Sequence, residues 1–205
     1  MSLRSFFLTA LGASICLSLS SCLILEDKSN GADAAWAKPV PITDLRQFDG
    51  VYTNASVEPA HHPKDDELRR PLFPFLVYNE KLTASWGYFQ TGRTELRASA
   101  DGQTLSLRFF VPGRGTLESA TLHRGHNFDL TPSGLVLRAW TVKSMDTTFG
   151  LEGGFGAYSN KTELLPTATG DLLGKTSGIN ASSKFLIYNE AEVDHKTYYW
   201  RKIAP

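Results

Sequence analysis

Five histidines are the first residues to test for chemistry, because imidazole titrates near neutrality and ligates metals. His123 and His126 are three apart, and Asp129 follows three further on. On a helix that spacing converges on one ion. The local sequence is instead a hairpin turning at Gly125, and strand residues three apart point to opposite faces. Both histidines are therefore read as exposed loop residues, and no metal is assigned. His61-His62 stands in a polar loop beside Pro63 and Asp65-Asp66, and adjacent histidines diverge in direction. Asp194-His195 opens the last strand, where the carboxylate would orient the imidazole, yet no nucleophile is placed beside it. A serine hydrolase would carry Gly-x-Ser-x-Gly between a strand and a helix, and the chain has no such elbow. Acidic pairs such as Asp65-Asp66 and Glu190/Glu192 act as glycosidase groups only at a separation of about 5–10 Å, which spacing in sequence does not supply. Gly170-Asp171-Leu172-Leu173-Gly174-Lys175-Thr176 has the outline of a phosphate loop. It is one residue short between its glycines and no helix follows, so it reads as a hairpin turn with Lys175 on a surface strand. No catalytic residue and no cofactor is assigned.

Cysteine is the other reactive type, and the chain has two, Cys16 and Cys22. Arg4 precedes an apolar run from Phe6 to Leu19, which ends in small residues before Cys22: the layout of a secretory signal. That run is 14 residues, short of the roughly 20 that span a bilayer core. An Ala-x-Ala site is not placed for plain cleavage, since Ala10 to Ala13 lies inside the apolar run. Leu19-Ser20-Ser21-Cys22 resembles the lipobox of bacterial lipoproteins. The resemblance implies cleavage before Cys22, a diacylglycerol on its sulfur and an acyl chain on its new amine. Residues 1–21 then form the signal peptide, and Cys22 is the lipidated residue. A single acyl chain holds a protein only marginally, at roughly 0.8 kcal/mol per buried CH2, whereas three anchor it stably. Leu23, in place of Asp, implies sorting to the outer membrane on its periplasmic side, or to the cell membrane of a host with one membrane. Cys16 leaves with the signal and acylation consumes Cys22, so the mature chain has no disulfide and no free thiol.

The elements that would position any site follow Cys22. The mature chain of 184 residues carries 20 Lys+Arg against 21 Asp+Glu, since Arg4 alone is lost, and its formal charge is −1. That balance gives nucleic acid no concentrated basic face. Residues 22–41 read as the acylated Cys and a flexible tether, polar from Glu26 to Gly31 and punctuated by Pro39 and Pro41. Residues 42–205 read as one β domain. Leu105, Leu107, Phe109 and Val111 alternate with Thr104, Ser106, Arg108 and Phe110, as do Leu135 and Leu137 with Val136 and Arg138. Further strands are expected at 162–165, 172–176, 184–188 and 196–203. Turns at Asp101-Gly102, Pro112-Gly113, Arg124-Gly125, Pro132-Ser133-Gly134 and Gly170-Asp171 punctuate these runs. The fold class is all-β, an antiparallel meander of about eight to ten strands closed as a barrel or stacked as a sandwich. One short helix is expected over 42–48, capped by Thr43 or Asp44.

The stretch Asp44-Leu45-Arg46-Gln47-Phe48-Asp49-Gly50-Val51-Tyr52 resembles the entry to lipocalins and related calycin barrels. In that family a helical turn closes the barrel base, Gly-x-Trp opens the first strand, and a basic residue of the last strand stacks over the Trp. The resemblance implies Tyr52 and Arg201 as the barrel-closing pair, with Tyr in place of Trp, and an interior able to hold an apolar molecule. A guanidinium over an aromatic face is worth about 0.5–2 kcal/mol.

Two features remain. Phe149 to Gly156 carries four glycines among Phe149, Leu151 and Phe155, the pattern of a bent strand or a lip over a pocket. Phe73, Phe75, Tyr78, Trp86, Tyr88 and Phe89 cluster, as do Tyr198, Tyr199 and Trp200. Most belong to the core, but three consecutive aromatics on one strand cannot share a face. The functional expectation is a non-enzymatic lipoprotein of the outer membrane that binds a hydrophobic small molecule or an envelope protein. An envelope hydrolase built on Asp194 and His195 is the competing reading. The sequence sets no oligomeric state.

Overall fold

The computed structural model describes residues 22–27, 35–57, 70–77, 82–138, 154–184 and 188–203. Their order is β1 (Cys22–Asp27), a 3₁₀ turn (Leu45–Phe48), β2 (Gly50–Thr53), α1 (Leu72–Leu76), α2 (Trp86–Thr91), β3 (Arg93–Ala98) and β4 (Thr104–Val111). Then follow β5 (Gly115–His123), β6 (Phe128–Thr131), β7 (Gly134–Leu137), β8 (Gly154–Pro166), β9 (Leu172–Lys184), β10 (Tyr188–Trp200) and β11 (Lys202–Ile203). The strands form a six-stranded sheet, in the order β1-β10-β9-β8-β7-β6, and a five-stranded sheet, β11-β2-β3-β4-β5. The fold is therefore mostly β and a meander, as expected. Its strands lie in two sheets, and among the described residues they do not close as a barrel. At Arg201 the chain leaves β10 in one sheet and continues as β11 in the other, antiparallel to β2.

The period-2 runs fall where the alternation puts them. In β4, Leu105, Leu107 and Phe109 are buried while Ser106 and Arg108 are exposed. The strand expected over 184–188 is not one strand: Lys184 ends β9, Tyr188 begins β10, and 185–187 lie outside the described residues. The capped turn is present, with Asp44 as its N-cap accepting the Arg46 N–H and Gln47 reciprocating at the Asp44 N–H.

Two compact units divide the chain. One comprises 1–28, 141–159 and 178–194, the other 29–140, 160–177 and 195–205. In the first, Cys22–Asp27 pairs parallel with β10, from Cys22↔Tyr188 to Asp27↔Val193. This departs from the tether expected there. Leu23-Ile24-Leu25 is an apolar, β-favouring run, and its composition suits a strand better than a solvated linker.

The second unit holds the main core. Inner faces of both sheets contribute to it, with Tyr52, Leu96, Leu105, Leu107 and Phe109 from one and Leu135, Leu164, Leu172, Tyr198 and Trp200 from the other. Helix α1 lies within this core, and Leu72, Phe73, Phe75 and Leu76 are all buried. A helix apolar all round is buried all round, and so it carries no amphipathic period for the sequence to display. Pro74 is tolerated because it sits in the first turn, where no intrahelical partner awaits its missing N–H. Phe73 packs on Phe89 and Phe109 at ring centroid distances of 6.5 and 5.9 Å. Phe75 packs on Tyr198 and Trp200 at 5.8 and 4.9 Å. One short helix thus joins the aromatics of α2 and β4 to those of β10.

Tyr199 points the other way, onto the outer face with Leu165 and Leu173. Trp36 stacks on it, with centroids 5.3 Å apart and planes 11° from parallel. The Val40 N–H donates to the Pro166 carbonyl at 2.9 Å, and the Ala168 N–H to the Lys38 carbonyl at 3.1 Å. Residues 35–41, expected as the end of a tether, are docked on the β domain instead. The apolar outer face under Trp36 and Ala37 is the reason.

Candidate functional site

The pairing of β2 with β11 centres on Tyr52, which is fully buried. Its hydroxyl donates to the Phe48 carbonyl of the 3₁₀ turn at 2.9 Å. Burial raises its pKa above the usual phenol range, and the charges of Asp49 and Asp171 add to the shift. The cation over its ring is Lys202, with Nζ 5.8 Å from the centroid, and the same Nζ donates to the Asp49 carbonyl at 2.6 Å. Arg201, assigned to this place from the sequence, is exposed at the crossover between β10 and β11, and its carbonyl accepts the Thr53 N–H. The correction is one of register: β11 pairs with β2 so that Lys202 faces Tyr52. Gly50 makes room for it, since a Cβ there would stand 2.5 Å from Lys202 Cε.

Asp171 ties the same end together. Its Oδ1 accepts the Lys202 N–H at 2.6 Å, and its Oδ2 accepts the Tyr199 and Thr169 hydroxyls at 2.5 and 2.6 Å. Burial pushes this carboxyl up, but the hydrogen bonds, with the charge of Arg201, outweigh it and hold the group below the usual carboxylate range. Every polar group named here is satisfied within the chain. The cluster is a clasp that ties β11 to β2 and to Asp171.

Asn54, fully buried, is the polar centre that sequence reasoning missed. Its Nδ2 donates to the Phe89 carbonyl at 2.7 Å, and its Oδ1 accepts the Phe73 N–H at 2.8 Å and the Thr94 hydroxyl at 2.5 Å. Its backbone joins in, with the N–H donating to the Gly92 carbonyl and the carbonyl accepting the Leu72 N–H. One side chain therefore pins both helices to β3.

That pinning presents Trp86. It is 60% exposed and is the exposed large hydrophobic side chain among the described residues. Phe89, one turn on, is buried, and the Trp86 ring meets it edge-on at 6.2 Å. The entry to α2 is held by Glu118 of β5, whose Oε1 accepts the Thr83 N–H, the Thr83 hydroxyl and the Ala84 N–H at 2.6–2.7 Å. Burial alone would raise the Glu118 pKa, and these bonds lower it. Arg114, at the β4–β5 turn, lies 5.0 Å over the Tyr88 ring and donates to its hydroxyl at 2.6 Å. The helix is thus held at the Phe89 carbonyl, at the Tyr88 side chain and through the segment that leads into it, while its first residue faces water. Trp is among the residue types enriched at the energetic centres of protein interfaces.

The remaining candidates are not brought together. His123 and His126 are exposed in a turn organised by Asn127, whose Oδ1 accepts the His123 N–H. Both Asp129 oxygens are engaged by Arg138. His195 is exposed on β10 beside half-buried Asp194. Among the described residues no group of three or more His, Cys, Asp or Glu is placed to hold a metal, and no helix is long and apolar enough to cross a membrane. Gly174, within the phosphate-loop outline, has a packing purpose: a Cβ there would lie 2.5 Å from the Trp200 ring and 2.8 Å from Phe75. His61-His62, Tyr78, Asp65-Asp66, residues 19–21 and Phe149 to Gly153 lie outside the described residues.

No family model matches the sequence, and no curated protein sequence matches it. Among solved structures, the chain is similar to the crystal structure of secretory abundant heat soluble protein 4 from Ramazzottius varieornatus. That likeness has a TM-score of 0.24 and 8% identity, and covers 80% of this chain and 99% of that one.

Proposed function

We propose that the chain is an exported lipoprotein, held by acyl chains on Cys22 at the periplasmic side of the outer membrane. In this reading its β domain is a non-enzymatic docking module for an envelope protein. The observation that carries it is Trp86, 60% exposed on a helix fixed by Asn54, Glu118 and Arg114. The space between the sheets favours a protein over an apolar small molecule, because Phe73 and Phe75 of α1 already occupy it. The closure around Tyr52, with its calycin-like turn and Lys202 stack, is what supports the small-molecule reading.

Photocrosslinking in the host tests this directly. A benzoylphenylalanine at position 86 should give one discrete protein adduct, and the same residue at Thr121, exposed on β5, should give none. A lipid adduct at position 86 would favour the apolar ligand. No adduct at all would refute docking through this helix. The anchor is tested separately: Cys22→Ser should move the protein from the membrane to the soluble fraction.

A further inference from the structure

We propose that the end of the six-stranded sheet where Cys22 of β1 pairs with Tyr188 of β10 rests on the bilayer surface, so that the acylated residue is part of the sheet with no spacer. This inference rests on acylation of Cys22. Its own support is the register. All six residues from Cys22 to Asp27 pair with β10, beginning with Cys22↔Tyr188. The residue that would carry the acyl chains is thus the first residue of a paired strand. Its acyl chains would hold Cys22 at the lipid surface, and the start of β10 at Tyr188, paired with it about 5 Å away, would be held at the same level. Asp27, five residues along, would stand about 16 Å further out at about 3.3 Å per residue.

Residue chemistry along the ladder has the same polarity. The first four pairs bring Leu23, Ile24 and Leu25 together with Tyr188, Asn189, Glu190 and Ala191, with one acid among them. The last two pairs bring Glu26, Asp27, Glu192 and Val193, three acids in four residues. The apolar end is the anchored end, and the acids gather where headgroup phosphates would not repel them.

The mature acylated chain would have no free thiol, so one introduced Cys is the sole labelling site. Tyr188→Cys, Lys184→Cys and Asp27→Cys would each be labelled with an environment-sensitive fluorophore. The acylated proteins are then reconstituted into phosphatidylcholine vesicles carrying a nitroxide lipid. The paired strand requires severalfold stronger quenching at positions 188 and 184 than at 27. A flexible tether reverses that order, because Asp27 stays within reach of Cys22 by chain length while β10 does not; this result overturns the proposal. Equal and weak quenching at all three positions, on protein that stays on the vesicles, also overturns it. Protein that leaves the vesicles and lacks acyl mass on its N-terminal peptide refutes acylation itself, a result separable by mass spectrometry. Lys184→Cys, at the end of β9, keeps the test valid should Tyr188→Cys disturb folding.

Discussion

Asn54 Oδ1 accepts the Phe73 N–H at 2.8 Å, so a buried amide caps a helix that begins far along the chain. Pro71, in the N-cap position of α1, makes no side-chain hydrogen bond, and Asn54 supplies what it lacks. Asn54→Ala orphans the Phe73 N–H, the Thr94 hydroxyl and the Phe89 carbonyl, each worth about 1–3 kcal/mol when buried and unmatched. The expected loss is about 3 kcal/mol or more, a fall in Tm of about 6–12 °C for a domain of this size. Thr94→Val, which removes one of the three bonds, should lose about 1 kcal/mol. Thermal melts of both variants by circular dichroism measure this, and an Asn54→Ala melt matching the parent refutes the hub.

What was legible in the sequence was local. Alternation marked β4, Thr43 or Asp44 marked the capped turn, where Asp44 is the cap, and three consecutive aromatics required one, which is Tyr199, to face outward. What was hidden depended on partners distant in the chain. Helix α1 lacks an amphipathic stripe because four of its five residues are buried and the fifth, Pro74, is apolar too, and Trp36 docks only because Leu165, Leu173 and Tyr199 form a patch beneath it. The closing cation was misassigned by one residue, because Arg201 and Lys202 are both basic and only the β2–β11 register distinguishes them. Trp86 belonged to a run of aromatics whose other members are mostly core, and composition does not say which one is left in water.

Gly174 offers a second stability test. Its strand neighbour Trp200 is fully buried, and the indole occupies the volume a Cβ would need. Gly174→Ala should destabilise by about 1–3 kcal/mol through overpacking, although alanine is otherwise no worse than glycine in a strand. Lys175→Ala, next door and exposed, should stay within about 0.5 kcal/mol of the parent. Urea denaturation separates the two. Equal midpoints would mean that Gly174 is not there to admit Trp200.

The clasp at Tyr52 predicts an asymmetry between adjacent basic residues. Lys202→Ala removes the ammonium from the ring and from the Asp49 carbonyl, and should destabilise by about 0.5–1 kcal/mol. Arg201→Ala leaves the ring contact intact and should change stability by less than about 0.5 kcal/mol. Stability measurements on the two variants decide which cation closes the fold, and the reverse order would restore Arg201 to that role.

Acid should open the same end of the molecule. Asp171 has a folded-state pKa below that of an unfolded chain, held there by Thr169, Tyr199 and the Lys202 N–H against the opposing effect of burial. A depressed carboxylate stabilises the fold fully above its unfolded pKa, about 3.9, and loses that stabilisation as pH falls through the lower, folded value. Asp171→Asn should therefore be less stable than the parent at neutral pH, and the gap should narrow on acidification toward about pH 3. Glu95 and Asp129 are also depressed, so both proteins should retain a common acid slope. The diagnostic is the difference between the two curves, read from urea midpoints across this range. Since the Tyr199 hydroxyl loses a charged acceptor in the same step and its hydrogen bond weakens, fluorescence of Trp36 stacked on it should change in the parent over the window where the gap closes. A gap that stays constant from neutral pH to about pH 3 would show that Asp171 does not carry its depressed pKa into stability.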